Sequence, residues 1–289
     1  MIIVSGATGK LGAQVVERLL ERVPASRVGV SVRDVNGAAA LAEKGVRVRR
    51  GDFTEPATLA GAFEGASQVF VVSAGVTGAA AVEHHVAAVD AAREAGAERV
   101  FYTSHQGAAA DSLFAPMPDH AATEDYLAKS GAPFTALRNG FYASTVPLLL
   151  GQALTTGELV APADGPVSWT AHADLAEAAA VLLAGEERFD GPTPPLTAPD
   201  ALDLDDVATL LTEITGRTVR RVVAEDEEWT ASLVQHGVPE GRAAMLLGMF
   251  HASRRGEFST TGDQLEKLIG RPATPLRDVL AAVVSERAH

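Results

Sequence analysis

The segment that most restricts how this chain can fold is Ser5-Gly6-Ala7-Thr8-Gly9-Lys10-Leu11-Gly12. It follows the apolar run Ile2-Ile3-Val4 and opens a stretch in which Leu11, Val15, Val16, Leu19 and Leu20 recur at helical spacing, with Glu17, Arg18, Glu21 and Arg22 opposite. A strand that turns into a helix through three glycines leaves backbone N–H groups bare at the helix start. A pyrophosphate needs those donors and no side chain in its way, so Gly6, Gly9 and Gly12 predict a dinucleotide site. The spacing is G-x-x-G-x-x-G, which departs from the common G-x-G-x-x-G fingerprint. It is not a P-loop, because Gly9-Lys10 runs on into Leu11.

Beyond this turn, short β-branched runs alternate with Ala-rich helical stretches. Strands are predicted at Ile2–Val4, Val28–Val32, Val46–Arg49, Gln68–Val72, Arg99–Thr103 and Phe134–Leu137. Six βα units at these spacings imply an α/β fold, a doubly wound parallel sheet of the Rossmann type. The helix before Gly96 is expected to bury Val82, Val86 and Val89, to stop at that glycine, and to leave the adjacent His84 and His85 in solvent.

After about residue 140 the rhythm changes. Phe141 to Gly157 reads as helix interrupted by Pro147, Glu158 to Pro166 as turns, and Asp174 to Leu183 as an amphipathic helix. Gly191-Pro192 and Pro194-Pro195 read as a linker; a helix over Asp206–Ile214, a strand over Val219–Val223 and three or four short helices follow. The run Glu225-Asp226-Glu227-Glu228 suits a helix N-terminus. A Rossmann domain over 1–157, which also receives part of 158–200, and a smaller, mostly helical substrate lobe over 158–289 are therefore expected.

Composition removes whole classes of function. With 24 Lys and Arg against 37 Asp and Glu, the net charge is −13, and no clustered basic face offers itself to nucleic acid. The chain has no cysteine, which excludes disulfides, thiolate zinc sites, iron–sulfur clusters and a cysteine nucleophile. No apolar run approaches the ~20 residues that span a bilayer, and the run before Ser5 is too short for a secretory signal. A cytoplasmic protein acting on a small molecule, with no membrane partner, is expected.

The end of the second strand bears on which dinucleotide is bound. An acidic side chain there holds a ribose 2′-hydroxyl, whereas a 2′-phosphate wants a cation. If the strand stops at Val32, Arg33 faces the ribose and NADPH is preferred over NADH; a shift of one residue puts Asp34 there instead. Lys10 is a second cation near the phosphates.

Taken together, Gly6 to Gly12, Val32-Arg33, Gly51-Asp52-Phe53, Tyr102-Thr103-Ser104, Leu137-Arg138-Asn139-Gly140-Phe141-Tyr142, Ala173-Asp174-Leu175-Ala176 and Leu268-Ile269-Gly270-Arg271-Pro272 resemble the NmrA-like branch of the atypical short-chain dehydrogenases. Within that branch the chain is most similar to NADPH-dependent quinone reductases. The resemblance implies that Thr8, Lys10 and Leu11 join the three glycines at the cofactor, that Asp52 and Phe53 contact its adenine, and that Ser73, Ala74 and Gly75 lie along it. It places Ser104, Asn139 and Gly140 beside the nicotinamide. Oligomeric state is left open by the sequence, a homodimer being one alternative.

Short-chain dehydrogenases usually place a Tyr four residues before a Lys, and this chain has no such pair: Tyr126 and Lys129 are three apart. His120 and Glu124 stand at i and i+4 instead, so either His120 gives a proton with Glu124 orienting or charging it, or both merely belong to an ordinary helix. His105 and Ser104 are the other candidates at the reacting end; a hydrolase built on Ser104-His105 lacks the G-x-S-x-G elbow, and a metal on the His120–Glu124 pair lacks a third ligand. Phe114, Phe141, Tyr142, Trp169 and Phe250 are candidates for an apolar pocket. The expected function is hydride transfer from NAD(P)H to a quinone or related conjugated carbonyl or imine. The alternatives are a dinucleotide-binding sensor without turnover and an isomerase or epimerase that keeps its cofactor.

Overall fold

The computed structural model describes residues 1–287. Its main sheet is built from β1 (Ile2–Ser5), β2 (Val28–Val32), β3 (Arg47–Arg50), β4 (Gln68–Val71), β5 (Arg99–His105) and β6 (Phe134–Asn139), all parallel, in the order β3-β2-β1-β4-β5-β6. Helices α1 (Lys10–Leu20), α2 (Ala39–Glu43), α3 (Ala57–Phe63), α4 (Ala79–Glu94) and α5 (Pro116–Lys129) connect these strands. The order reverses between β1 and β4, and at such a switch point the carboxyl ends of the strands open a crevice.

Helix α1 forms because its apolar stripe has a face to bury. Leu11, Val15, Val16 and Leu19 are all buried in one core layer, each worth about 1.5–3 kcal/mol. A second core layer, on the other side of the sheet, holds Ile3, Phe63, Val69, Val89, Val100 and Tyr102.

Beyond β6 the chain breaks into α6 (Val146–Leu149) and α7 (Ala153–Thr156), then β7 (Glu158–Pro162), α8 (His172–Ala184) and β8 (Gly191–Pro192). Next come α9 (Leu204–Thr215), β9 (Arg220–Ala224), α10 (Asp226–Gln235), α11 (Glu240–Arg254), α12 (Gln264–Ile269) and α13 (Leu276–Arg287). A third core layer, including Phe141, Leu159, Trp169, Leu211, Phe250, Phe258 and Leu280, holds these elements together.

Four expectations need correction here. Gly191-Pro192 is no linker: it is β8, a seventh parallel strand on the outer side of β6, where a proline is tolerated because an edge needs no donor on its outer side. Glu158–Pro162 is a strand rather than a set of turns, and it pairs in parallel with β9. Helix α8 is not amphipathic in practice, since nine of its residues from Asp174 to Leu183 are buried between α1 and α12. On α4 the buried face is Ala81, His85, Ala88, Val89 and Ala92 rather than the one marked by Val82 and Val86, because small alanines let the helix approach its neighbours. Gly96 does end α4, in the left-handed conformation expected there. Among the described residues, no helix is long and apolar enough to cross a membrane.

Candidate active site

The first turn is shaped as a bare cradle. Gly6 adopts φ +60°, and its N–H donates to the Ser31 carbonyl at 3.2 Å, which fastens the turn to β2. Gly9 caps α1 in an extended conformation with no side chain on the first-turn amides. Gly12 is buried where any Cβ would overlap the Gly6 carbonyl, lying only 2.8 Å from its carbon. Helix and strand thus meet at a distance only glycine permits, while Gly6, Thr8, Gly9 and Lys10 stay exposed above the helix N-terminus. Unfilled amides, a positive helix end and exposed, mostly side-chain-free backbone fit a pyrophosphate.

Strand β2 ends at Val32, so Arg33 is the first residue past the strand. The Asp34 carboxylate accepts the Asn36 N–H at 2.9 Å and closes a local turn. Asp52 at the end of β3 accepts from the Thr54 N–H at 2.9 Å and the Thr54 hydroxyl at 2.8 Å. Those two bonds, helped by the charges of Arg33 and Arg50, hold its carboxyl below the usual range. Phe53 beside it is half-buried.

The carboxyl edge of the sheet is stitched strand to strand. The Val72 N–H donates to the Ser5 hydroxyl, the Ser73 N–H to the Thr103 hydroxyl and the Gln106 N–H to the Asn139 carbonyl, at 2.9, 2.6 and 2.9 Å. The Ala74 N–H donates to His85 Nε2 at 2.9 Å, so the loop after β4 is hung on a helix α4 histidine. Gly75 is exposed at the crest of this loop, and the Gly78 N–H donates to Asp119 at 2.7 Å.

His85 is therefore not a solvated surface residue. It is buried against Tyr102 and Thr123, and burial, reinforced by His120 and His84, lowers its pKa to about 3. Tyr102, fully buried on β5, bonds His120 Nδ1 at 2.7 Å. Burial pulls His120 down to about 4 and His105 to about 3, so both imidazoles are neutral near pH 7. The His105 and His120 rings lie 6.3 Å apart and 24° from parallel.

Glu124 does not serve His120. Its carboxylate accepts the Ser104 hydroxyl at 2.6 Å and both Nε and Nη2 of Arg138, at 3.0 and 2.6 Å. His120 and Glu124 both lie on α5, four residues apart, but the ionic partner of Glu124 is the Arg138 guanidinium on β6. Ser104 thereby has its proton committed to Glu124. Asn139 is buried at the end of β6, and Gly140 follows where a Cβ would strike the Thr170 side chain.

An aromatic wall adjoins the histidines. His105 meets Phe141 and Phe258 edge-on at 5.4 and 5.6 Å, and Phe114 packs on both phenylalanines. Tyr142 instead stacks over His172 at 4.2 Å, near Lys10. Two of the aromatic candidates are core: Trp169 is buried with its indole N–H on the Leu202 carbonyl, and Phe250 is buried against Trp229. Sequence reasoning missed Tyr102, His85 and Phe258 as parts of this site. The i, i+4 spacing of Ala81 and His85, followed by Ala88 and Ala92, was the available signal for the second of these.

A parallel switch-point sheet with a glycine cradle at its first turn defines a Rossmann-type protein with a dinucleotide-shaped crevice. The chain belongs to the NmrA-like family, whose model matches residues 1–280. It is 34% identical over 279 residues to quinone oxidoreductase 2 of Escherichia coli, covering 96% of both chains. The crystal structure of an Escherichia coli NADPH-dependent quinone oxidoreductase in complex with NADPH superposes with a TM-score of 0.92 at 32% identity, covering 98% of this chain and 100% of that one. The Citrobacter triphenylmethane reductase complexed with NADP(H) gives a TM-score of 0.90 at 35% identity, covering 98% and 99%.

Proposed function

We propose that the chain is an NADPH-dependent reductase that passes hydride to a quinone or a related conjugated carbonyl or imine. The observation that carries this reading is the placing of the bare glycine cradle and the neutral His105–His120 pair on one carboxyl edge of the sheet, linked through the loop after β4. The names of the relatives, a quinone oxidoreductase and a triphenylmethane reductase, support it.

In this reading the amides of the turn from Gly6 to Gly12, with Thr8 and Leu11, hold the pyrophosphate. Arg33 and Lys10 answer the 2′-phosphate, and Asp52 with Phe53 flank the adenine. The backbone of Ser73, Ala74 and Gly75 runs along the cofactor, and Ser104, Asn139 and Gly140 border the nicotinamide. The bound cofactor supplies a hydride. No Tyr–Lys pair is present to protonate an unactivated ketone, so the chain's part is to orient and exclude water, which suffices for an acceptor that takes hydride readily. The lobe centred on Phe141, Trp169 and Phe258 forms the substrate side, the acceptor is a small molecule, and the reaction is cytoplasmic.

The test is oxidation of NADPH by the purified protein against a panel of quinones, followed by loss of reduced-nicotinamide absorbance. Turnover with at least one quinone is expected. Tight NADPH binding with no oxidation by any acceptor overturns the reductase in favour of a cofactor sensor.

A further inference from the structure

The hydrogen bonds around β5 fix where the protons sit on three histidines. A backbone N–H can only donate, so the Ala74 amide makes His85 Nε2 an acceptor, and neutral His85 must carry its proton on Nδ1. That Nδ1–H faces two oxygens. Thr123 Oγ1 at 2.9 Å receives it, because the Thr123 hydroxyl is already donating to the Asp119 carbonyl at 2.8 Å. Tyr102 Oη at 3.3 Å is the second, weaker acceptor. The Tyr102 proton is left for His120 Nδ1 at 2.7 Å, which puts the His120 proton on Nε2. His105 reaches the same state by a shorter route: the Gly107 N–H donates to its Nδ1 at 3.0 Å, so its proton is also on Nε2.

Neither Nε2–H has an acceptor among the described residues, and His120 keeps an edge open to solvent. Two near-parallel rings 6.3 Å apart, with His105 beside Phe141 and Phe258, thus each carry an unspent donor. We infer that His105 and His120 form a pair of neutral N–H donors that binds the carbonyl oxygen of the acceptor, with Tyr102 and His85 as positioning residues that set the His120 tautomer. The inference rests on the reductase reading. In the step it describes, the acceptor takes a hydride from the reduced nicotinamide, which is oxidised, and the electron pair comes to rest on the carbonyl oxygen. Both imidazoles keep their own protons and hold that oxygen by hydrogen bonds, and the oxygen then takes one proton from water. The role matches the chemistry: a neutral imidazole stabilises developing negative charge without carrying a cation into a buried site.

Long-range proton–nitrogen correlation spectra of the histidine rings test the proton positions with no turnover required. Nε2–H is expected at His105 and His120 and Nδ1–H at His85; in Tyr102→Phe, His120 is expected to lose its single tautomer while His105 keeps its own. Nδ1–H at His105 or His120 overturns the donor pair. Kinetics test the oxygen: His120→Phe should lower kcat for a quinone about 100-fold, with NADPH affinity unchanged. A triarylmethyl dye, whose electrophilic carbon bears no oxygen, should react at close to the wild-type rate. Equal losses with both acceptors, or none with either, overturn the assignment. Wild-type protein inert with every quinone is a failure of the reductase reading instead, and the ring spectra are unaffected by it.

Discussion

The glycine turn and the histidine pocket sit on the same edge of one sheet, yet they use backbone amides in opposite ways. At the turn, Gly6, Gly9 and Gly12 strip away side chains so that amides face a ligand directly. At the pocket, the amides of Ala74 and Gly107 are spent on imidazoles: the first sets His120 through His85 and Tyr102, and the second sets His105 directly. The ligand-facing groups of the first device are backbone amides, which do not titrate; the nearest perturbed group is His172 beside Lys10, lowered by burial to about 4. The second buries His85 and His105 and leaves only an edge of His120 open, and its behaviour should follow pH.

The largest expected effect separates the two on that ground. His85, His105 and His120 have folded pKa values of about 3, 3 and 4, below their ordinary 6.5. The folded state therefore binds fewer protons than the unfolded one, and the stability these groups contribute is complete above pH 6.5 and lost as pH falls towards the folded values. Between pH 7 and 5.5 each should cost about 1.2 kcal/mol, together about 4 kcal/mol, in urea unfolding followed by circular dichroism, and His172, lowered to about 4 by burial, adds a similar amount. Asp119, raised by burial, works in the opposite sense at lower pH. Stability that is flat over this range removes the claim that the pocket is neutral by burial.

Next in size is Gly12→Ala, which forces a methyl group into the Gly6 carbonyl, a rigid neighbour that cannot rotate away. A loss of about 2–3 kcal/mol in the same unfolding experiment is expected, and it should be independent of pH. Unchanged stability there denies that the turn is held at glycine-only distance. The smallest effect is the most specific. Arg33→Ala removes an exposed cation just past β2 and should raise KM for NADPH about tenfold while leaving NADH alone, as expected for one charge-assisted contact to a phosphate. Equal changes for the two cofactors reject the phosphate role.

The same contrast decides how much the amino-acid sequence discloses. The turn was readable because its constraint is residue type: glycine spacing between an apolar strand and an amphipathic helix is enough. The six long strands were readable for the same reason, whereas β8 was not, since Gly191-Pro192 carries turn chemistry and becomes a strand only by pairing with β6. The pocket depends on which way side chains face. His84 and His85 are equivalent in sequence, and only the packing of α4 buries the second. Glu124 shares a face with His120, yet Arg138, fourteen residues away on β6, takes its charge. Long-range pairing of this kind leaves no local periodicity to detect.

The reductase claim is tested most directly with NADPH deuterated at C4 on one face or the other, oxidised by a quinone and analysed by mass spectrometry of the NADP⁺ formed. A crevice that fixes the nicotinamide against one acceptor site predicts that deuterium is lost entirely from one face and retained entirely from the other. Loss from both faces, or no oxidation of NADPH by any quinone, contradicts it.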